Sequence, residues 1–349
     1  MKKTIIIIAA IIVAAIISSC TKPSCPSCDE GLSKVTLSLQ SYTTRSDIVT
    51  TQEEDNKINS VDVFIFHNTA PESPEYQKLD AYKRFTGSEL SDLTLTATTG
   101  PKTICIIVNE HTGLFKGATD LTAFRKLVSN LKDELVGSFT MYGEKEETLG
   151  VTTSVAMTVT RLISKVEVKS IKTKFAGTPY DGMTLSNIKL YLVNAHAQKI
   201  IYNNASSPAT PLVYNSTKLV GEDANATTEA NLIYQPLTGN INDTGLDKQF
   251  FFYCYSNETD QTETCTKLVL QADLDGITYY YPILINQDKY GYLPETGYKG
   301  IRQNSTYSYS ITVTRPGSPD PNIPVVPGTL DLSLSTSDWA VIPTFEKEF

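Results

Sequence analysis

The sequence contains only three histidines, and they are scattered at His67, His111 and His196. Their spacing fits no metal-binding motif, and no Gly-x-Ser-x-Gly or similar nucleophile motif accompanies them. We therefore predict that the chain is not an enzyme. We also expect it to have no catalytic residues, no metal site and no cofactor.

The sequence also has no apolar run long enough to form a membrane-spanning helix. Its longest run, residues 5–17, follows Lys2 and Lys3 and leads into a Ser-Ser-Cys sequence that ends at Cys20. This arrangement is typical of a bacterial lipoprotein signal peptide, although an ordinary signal peptide with an incidental cysteine is the alternative. We predict that residues 1–20 are the signal segment and that lipid on Cys20 anchors the precursor to a membrane.

Cysteine is scarce, with six in 349 residues, and a chain of this length can bury a core without disulfides. Cys25 and Cys28 lie in a Pro-rich stretch that we interpret as a tether, and Cys105 lies in an apolar run typical of a buried strand. Cys254 and Cys265 flank a turn-like polar run. In an exported protein these two could close a cross-strand disulfide or remain thiols.

Positive charge is also in deficit, since the formal net charge is −8. An acidic surface argues against nucleic acid and anionic lipid as partners. The membrane is expected to be reached only through lipid on the precursor.

Heptad patterns are absent, and short alternating apolar runs recur between Gly, Asn, Asp and Pro clusters, which indicates a mainly β protein. One helix is predicted after Asp120, a plausible N-cap, with an apolar face formed by Leu121, Phe124, Leu127, Val128 and Leu131. Strands are predicted within residues 34–40, 61–66, 92–98, 103–109, 155–168, 188–193, 250–253, 267–271, 278–285, 308–313 and 329–335.

The length suggests about two domains, and a break at residues 175–179 marks the predicted junction. We therefore divide the chain into a signal segment (1–20), a propeptide of tether and first strand (21–45), and two domains (46–177 and 178–349). The second domain includes a Pro-rich spacer and last strand (315–349). Arg161 and Lys165 interrupt the alternation before the junction, which favours a sheet edge over a ligand site.

The first and last predicted strands carry the same pattern. Val35, Leu37 and Leu39 lie on one face of the first strand, and Leu330, Leu332 and Leu334 lie on one face of the last. A lone basic residue, Arg45, separates the first strand from the body. A protease cut between Arg45 and Ser46 would free the first strand, and an equivalent strand of another copy could replace it.

The order of these pieces resembles the type V pilins of Bacteroidetes, the major fimbrillin family. The matching positions are Cys20, Arg45, the first strand, the segments 61–66, 100–109 and 159–168, and the region 302–311 followed by a spacer and a strand ending in Ser337-Asp338-Trp339. The resemblance implies two transthyretin-like β-sandwich domains with one or two short helices. It also implies export as a lipidated precursor to the outer membrane and cell surface.

The resemblance further implies cleavage at Arg45 by an arginine-specific protease and assembly into extracellular fimbriae that support adhesion. Leu330, Leu332 and Leu334 would form the donor strand, and Trp339 would either anchor that strand in the neighbour or pack on its own domain. Expected partners are other copies of the chain and accessory fimbrial subunits. The alternatives are a minor anchor or tip subunit, or a lipid-anchored glycan-binding protein in which Tyr279, Tyr280 and Tyr281 stack on sugars.

Overall fold

The computed structural model describes residues 31–41, 55, 57–202, 212–213, 232–246, 248–287, 297–323, 325 and 330–338. Several predicted features lie outside these residues, namely Cys20, Cys25, Cys28, Arg45, Ser46 and Trp339. Within the described ranges, no helix is long and apolar enough to cross a membrane.

The described residues form a mainly β structure with one short α-helix and a few 3-10 turns, which confirms the predicted fold class. The elements in chain order are β1 (Leu32–Ser41), β2 (Ser60–His67), β3 (Leu79–Thr86), β4 (Leu93–Thr98), β5 (Gly100–Val108), α1 (Leu121–Phe124), β6 (Val128–Asn130), β7 (Met141–Leu149), β8 (Thr152–Arg161), β9 (Ile163–Thr173), β10 (Leu185–Val193), β11 (Ala195–His196), β12 (Gln198–Ile200), β13 (Leu212–Val213), β14 (Tyr234–Pro236), β15 (Phe250–Tyr255), β16 (Lys267–Leu274), β17 (Ile277–Leu284), β18 (Ser305–Val313) and β19 (Leu330–Asp338).

The first sandwich is one seven-stranded sheet, in the order β3-β2-β5-β7-β8-β1-β4, that folds back on itself. The sheet bends between β7 and β8, which pair only through Met141 with Arg161 and Tyr142 with Thr160. The two layers enclose a single apolar cluster to which β1, β2, β4, β5 and β8 all contribute. Since β2 and β5 alternate between this cluster and a second one on their other face, they are buried on both sides.

The second sandwich has two four-stranded sheets, in the orders β14-β10-β16-β17 and β15-β9-β18-β19. Its core also reaches the outer face of β2 and β5, where Phe124 of α1 lies 4.8 Å from Phe64 and 5.3 Å from Phe66 between ring centroids. This packing joins the two halves of the molecule through apolar contact.

The predicted helix is correct in its start and wrong in its length. Asp120 caps α1 by accepting a hydrogen bond from Ala123 N at 2.8 Å, but the helix ends at Phe124. Val128–Asn130 instead forms β6, which pairs with β12, and Leu131 begins a 3-10 turn whose amide donates to Ala197 O at 2.8 Å. Pairing with a distant strand therefore overrides the local helical periodicity.

The single strand predicted over residues 155–168 is two strands in different sheets. β8 belongs to the first sandwich, and β9 lies between β15 and β18 in the second. Sheet membership therefore changes at Leu162, ahead of the junction predicted at 175–179. The expectation that Arg161 and Lys165 mark a sheet edge is wrong. Arg161 ends β8 and Lys165 lies in β9, both strands have a neighbour on either side, and both side chains are buried.

Candidate functional site

The first strand, β1, occupies a slot between two other strands of the first sandwich. It pairs antiparallel with β4, from Leu32 opposite Thr98 to Leu37 opposite Leu93. On its other side it pairs in parallel with β8, from Lys34 opposite Thr152 to Ser41 opposite Val159. Both hydrogen-bonding edges of β1 are thus in use, and its removal would leave two facing strand edges unpaired.

The apolar face of β1 is buried as the alternation predicts. Val35, Leu37 and Leu39 are 0%, 4% and 9% exposed. Lys34 and Ser38, on the opposite face, are exposed to solvent. The slot is lined on either side by Leu93, Leu95 and Ala97 of β4 and by Val155, Met157 and Val159 of β8. Burial of each Val or Leu contributes about 1.5–3 kcal/mol, so β1 completes the first core.

One side chain of β1 fits the slot poorly. Ser33 is fully buried on the same face as Val35, and its Oγ has no hydrogen-bond partner. A buried hydroxyl without a partner costs about 1–3 kcal/mol. An apolar residue at this position would suit the slot better.

Asp80 of β3 holds β4, one wall of the slot, by hydrogen bonds and forms an ion pair with Lys102 of β5. Asp80 accepts hydrogen bonds from Thr98 N and Thr98 Oγ1, both at 2.9 Å, and from Lys102 Nζ at 2.9 Å. Lys102 Nζ also lies 2.9 Å from His67 Nδ1. Burial alone would raise the pKa of Asp80, but the bonds from Lys102 and Thr98 outweigh it and hold the pKa below the usual value.

The last strand, β19, is in a much less enclosed position. It pairs antiparallel with β18, from Val313 opposite Leu330 to Ser305 opposite Asp338, and has no second neighbour among the described strands. Leu330, Leu332 and Leu334 pack on the main core but are only half-buried. The same apolar spacing is thus enclosed in β1 and partly open to solvent in β19.

A buried polar cluster connects the chain ahead of β2 to the second sandwich, and no local pattern in the sequence predicts it. The Asp55 carboxylate lies 2.9 Å from Lys165 Nζ and 3.2 Å from Tyr253 Oη. Its main-chain oxygen accepts from Arg161 Nη2 at 3.2 Å. Arg161 is fully buried, and this burial lowers its pKa to about 9. The chain between β1 and β2 is therefore fixed at a point ten residues beyond Arg45.

The cross-strand disulfide considered for Cys254 and Cys265 is not formed, and both residues are buried thiols. The polar run between them does not join a hairpin, because β15 and β16 belong to different sheets of the second sandwich. Burial raises the pKa of Cys254 to about 12, which makes its thiol unreactive at neutral pH.

The remaining candidate side chains lie apart from one another. His67 belongs to the Asp80 cluster, His111 Nε2 lies 2.6 Å from Ser138 O, and His196 is in β11. Across the described ranges, no three His, Cys, Asp or Glu side chains are grouped to hold a metal ion. Of the predicted aromatic platform, Tyr281 is fully buried while Tyr279 and Tyr280 are half-buried.

Comparison with known proteins agrees with this arrangement. Residues 33–187 match the family model of the major fimbrial subunit protein, FimA. The resemblance to the major fimbrillin family is confirmed. The matched region of this fimbrillin-like chain includes β1, β4 and β8, which form the slot and its occupant. The match supports a fimbrial subunit, which is a structural class of protein located at the cell surface.

Solved structures share the fold at low sequence identity. A fimbrilin from Porphyromonas gingivalis is 16% identical, with a TM-score of 0.63 over 89% of this chain and 99% of that one. A candidate cell adhesion protein from Bacteroides eggerthii is 17% identical, with a TM-score of 0.65 over 88% and 96%. A third structure, of a candidate cell adhesion protein from Parabacteroides distasonis, is 16% identical with a TM-score of 0.63 over 89% and 97%. A search of curated proteins found no match.

Proposed function

We propose that this fimbrillin-like chain is a shaft subunit of a surface fimbria and that it polymerises by strand exchange. In the precursor, β1 fills its own slot. After cleavage between Arg45 and Ser46, β1 leaves and β19 of a second copy enters between β4 and β8. The observation that carries the proposal is the burial of Val35, Leu37 and Leu39 between β8 and β4, of which β4 pairs with no other described strand than β1.

Cleavage favours exchange because it changes the concentration terms of the equilibrium. While β1 is covalently linked to the body, its effective concentration at the slot is on the order of millimolar or higher. Once the link is cut, the released segment is diluted into solvent. The Asp55 cluster supports this step, since its contacts with Lys165 and Tyr253 would hold the new N-terminal segment on the body after β1 departs.

β19 has the properties of a donor strand. It follows a Pro-rich spacer and lies at the edge of its sheet, so only one ladder must break for it to leave. In the slot it would gain two ladders and full burial of leucines that are half-buried at the edge. A donor strand with an apolar residue in the place of Ser33 would also avoid the unpaired hydroxyl that β1 carries there. The slot and the donor are on different sandwiches, so contacts run head to tail and a filament follows.

The precursor would reach the surface through its N-terminal segment. Lipid on Cys20 would hold it at the outer membrane until an arginine-specific protease cuts after Arg45 and so removes residues 21–45 together with the lipidated Cys20. Mature copies would then contact one another and accessory fimbrial subunits, and the resulting fibre would support adhesion and biofilm formation.

Protease treatment of the purified precursor tests this proposal. We expect an arginine-specific protease to expose Ser46 as the new N-terminus, read by mass spectrometry, and to convert monomer into a ladder on a gel run without boiling. The matched control is Arg45→Ala. This variant should keep its lipid and β1 and remain a monomer under the same treatment. Polymerisation of Arg45→Ala at the rate of the unaltered chain would contradict the switch.

A further inference from the structure

A polar cleft lies on the second sandwich, at an irregularity of β10 that strand exchange does not explain. The register between β10 and β16 shifts between Ser186 and Lys189, which marks a β-bulge. Within the bulge, Asn187 has a φ of 49°, in the left-handed region. On the other side of β10, the ladder with β14 ends at Pro236. Bulges of this kind re-aim side chains and are enriched beside functional sites.

The cleft has a volume of about 460 Å³, within the ~300–1,000 Å³ range of small-molecule sites. Its polar lining comes from Asn187, Lys189, Gln271, Asp273 and Thr278. Lys189 and Gln271 lie opposite each other in register, and they alternate with Leu190 and Leu270, so they lie on the other face of the sheet from these two leucines.

Gln271 is the most informative of these residues. Its side chain is 7% exposed and lines the cleft, yet its Oε1 has no hydrogen-bond partner. Nearby, the Asp273 carboxylate is oriented by Asn187 Nδ2 and Thr278 Oγ1, each at 2.6 Å, and these bonds lower its pKa. The lining of the cleft therefore contains a buried amide oxygen without a partner, close in the strand to a carboxylate held by two hydrogen bonds, and both groups can accept hydrogen bonds.

The remainder of the lining is apolar. Ile188, Pro236 and Leu237 contribute to the cleft wall. Tyr280 lies opposite Gln271 in the ladder between β16 and β17, which places its half-buried ring on the same face. An apolar wall beside convergent acceptors suits a ligand that combines hydroxyl donors with C–H faces.

We propose that this cleft binds a neutral saccharide of one or two sugar units. Sugar hydroxyls would donate to Gln271 Oε1 and Asp273, while Lys189 would donate to a ring or hydroxyl oxygen. A neutral sugar is favoured over an acidic one because the lysine is matched by the neighbouring aspartate. The site is separate from the slot of β1, so monomeric precursor and polymer would both carry it.

Saturation-transfer NMR on the intact precursor tests the proposal, with methyl glycosides of glucose, galactose and mannose, N-acetylglucosamine, lactose and N-acetylneuraminic acid as probes. We expect transfer to at least one neutral sugar and weaker transfer to N-acetylneuraminic acid. Gln271→Leu removes the unpaired oxygen and should weaken binding by about three- to tenfold, the effect of one hydrogen bond. Thermal unfolding of this variant should be unchanged or shifted upward.

Gln303→Leu is the matched control, because the side-chain amide of Gln303 is also buried without a partner but does not line the cleft. It should bind the sugar as the unaltered chain does. The proposal is overturned if no neutral sugar binds, if N-acetylneuraminic acid binds best, or if Gln271→Leu and Gln303→Leu have equal effects. None of these results depends on protease cleavage or polymerisation, so they leave the strand-exchange proposal untouched.

Discussion

At the scale of single residues, Leu37 is the central side chain of the buried face of β1. It is 4% exposed and lies between Leu93 of β4 and Val155 of β8. We predict that Leu37→Ala lowers the free energy of unfolding of the precursor by about 2–5 kcal/mol, measured by denaturant titration. Ser38→Ala, on the exposed face of the same strand, should change it by less than ~0.5 kcal/mol. Equal losses in both variants would show that β1 does not complete the core.

A substitution at Ser33 is predicted to stabilise the precursor, whereas the substitution at Leu37 destabilises it. Because its buried Oγ has no partner, Ser33→Ala removes a desolvation cost without adding volume. We expect the precursor to gain about 1 kcal/mol of stability and to release its cleaved first strand more slowly. Thermal unfolding and the rate of ladder formation measure the two effects. A loss of stability would mean that the hydroxyl contributes a favourable interaction in the precursor.

The Asp80 carboxylate beside the slot makes the stability of the protein depend on pH in the acid range. Its pKa in the folded protein is held below the 3.8 of the unfolded chain, so its contribution to stability is fully present above about pH 3.8. That contribution is lost as the pH falls further, through the folded-state pKa. Asp80→Asn should lower the melting temperature at pH 7 and flatten its fall below pH 4. A variant with the same acid profile as the unaltered chain would contradict this assignment.

At the scale of elements, strand exchange requires β19 to bind through its apolar face. Leu332 is half-buried against the core, and Ser333 beside it is exposed. Leu332→Asp should leave a folded monomer that no longer polymerises after cleavage, because a charge would enter the closed slot. Ser333→Asp should polymerise normally. The gel ladder measures both variants, and polymerisation of Leu332→Asp would exclude β19 as the donor.

The strands could be predicted from the sequence because alternation is a local property. Val35, Leu37 and Leu39 have the burial that their spacing indicates, and β2, β5, β10 and β18 are found where β-branched and aromatic residues concentrate. Features that depend on distant partners could not be predicted. The helix after Asp120 is cut short by pairing with β12, and Cys254 and Cys265 are separated by a crossing between sheets.

The buried polar groups of the site could not be predicted either, because they too depend on partners that are distant in the sequence. Arg161 and Lys165 suggest a sheet edge because nothing local reveals Asp55, which lies 106 residues from Arg161 and 110 from Lys165 in the chain. The sequence pattern does not predict the unpaired hydroxyl of Ser33 either, because its burial depends on β4 and β8 rather than on its neighbours in sequence. Alternation thus predicts the apolar lining of the slot, but it does not reveal the buried polar groups around it.

At the scale of the whole molecule, the first sandwich contains a closed slot, and the second sandwich carries β19 as an edge strand. Each sandwich is complete in the precursor, because β1 fills the first and β19 covers an edge of the second. The polymer we propose keeps every ladder of the first sandwich and only changes which copy supplies one strand. Its stability should therefore approach that of a folded core rather than that of a surface contact.

A peptide titration measures whether cleavage opens the slot to a second strand. A peptide of residues 329–338 is added to precursor truncated after Pro327, before and after cleavage at Arg45, and bound peptide is counted by native mass spectrometry. The uncleaved protein reports binding at the exposed edge of β18, so we expect one additional bound peptide per chain after cleavage. A peptide carrying Leu332→Asp should not occupy that additional site. The same number of bound peptides before and after cleavage would contradict the existence of an exchangeable slot.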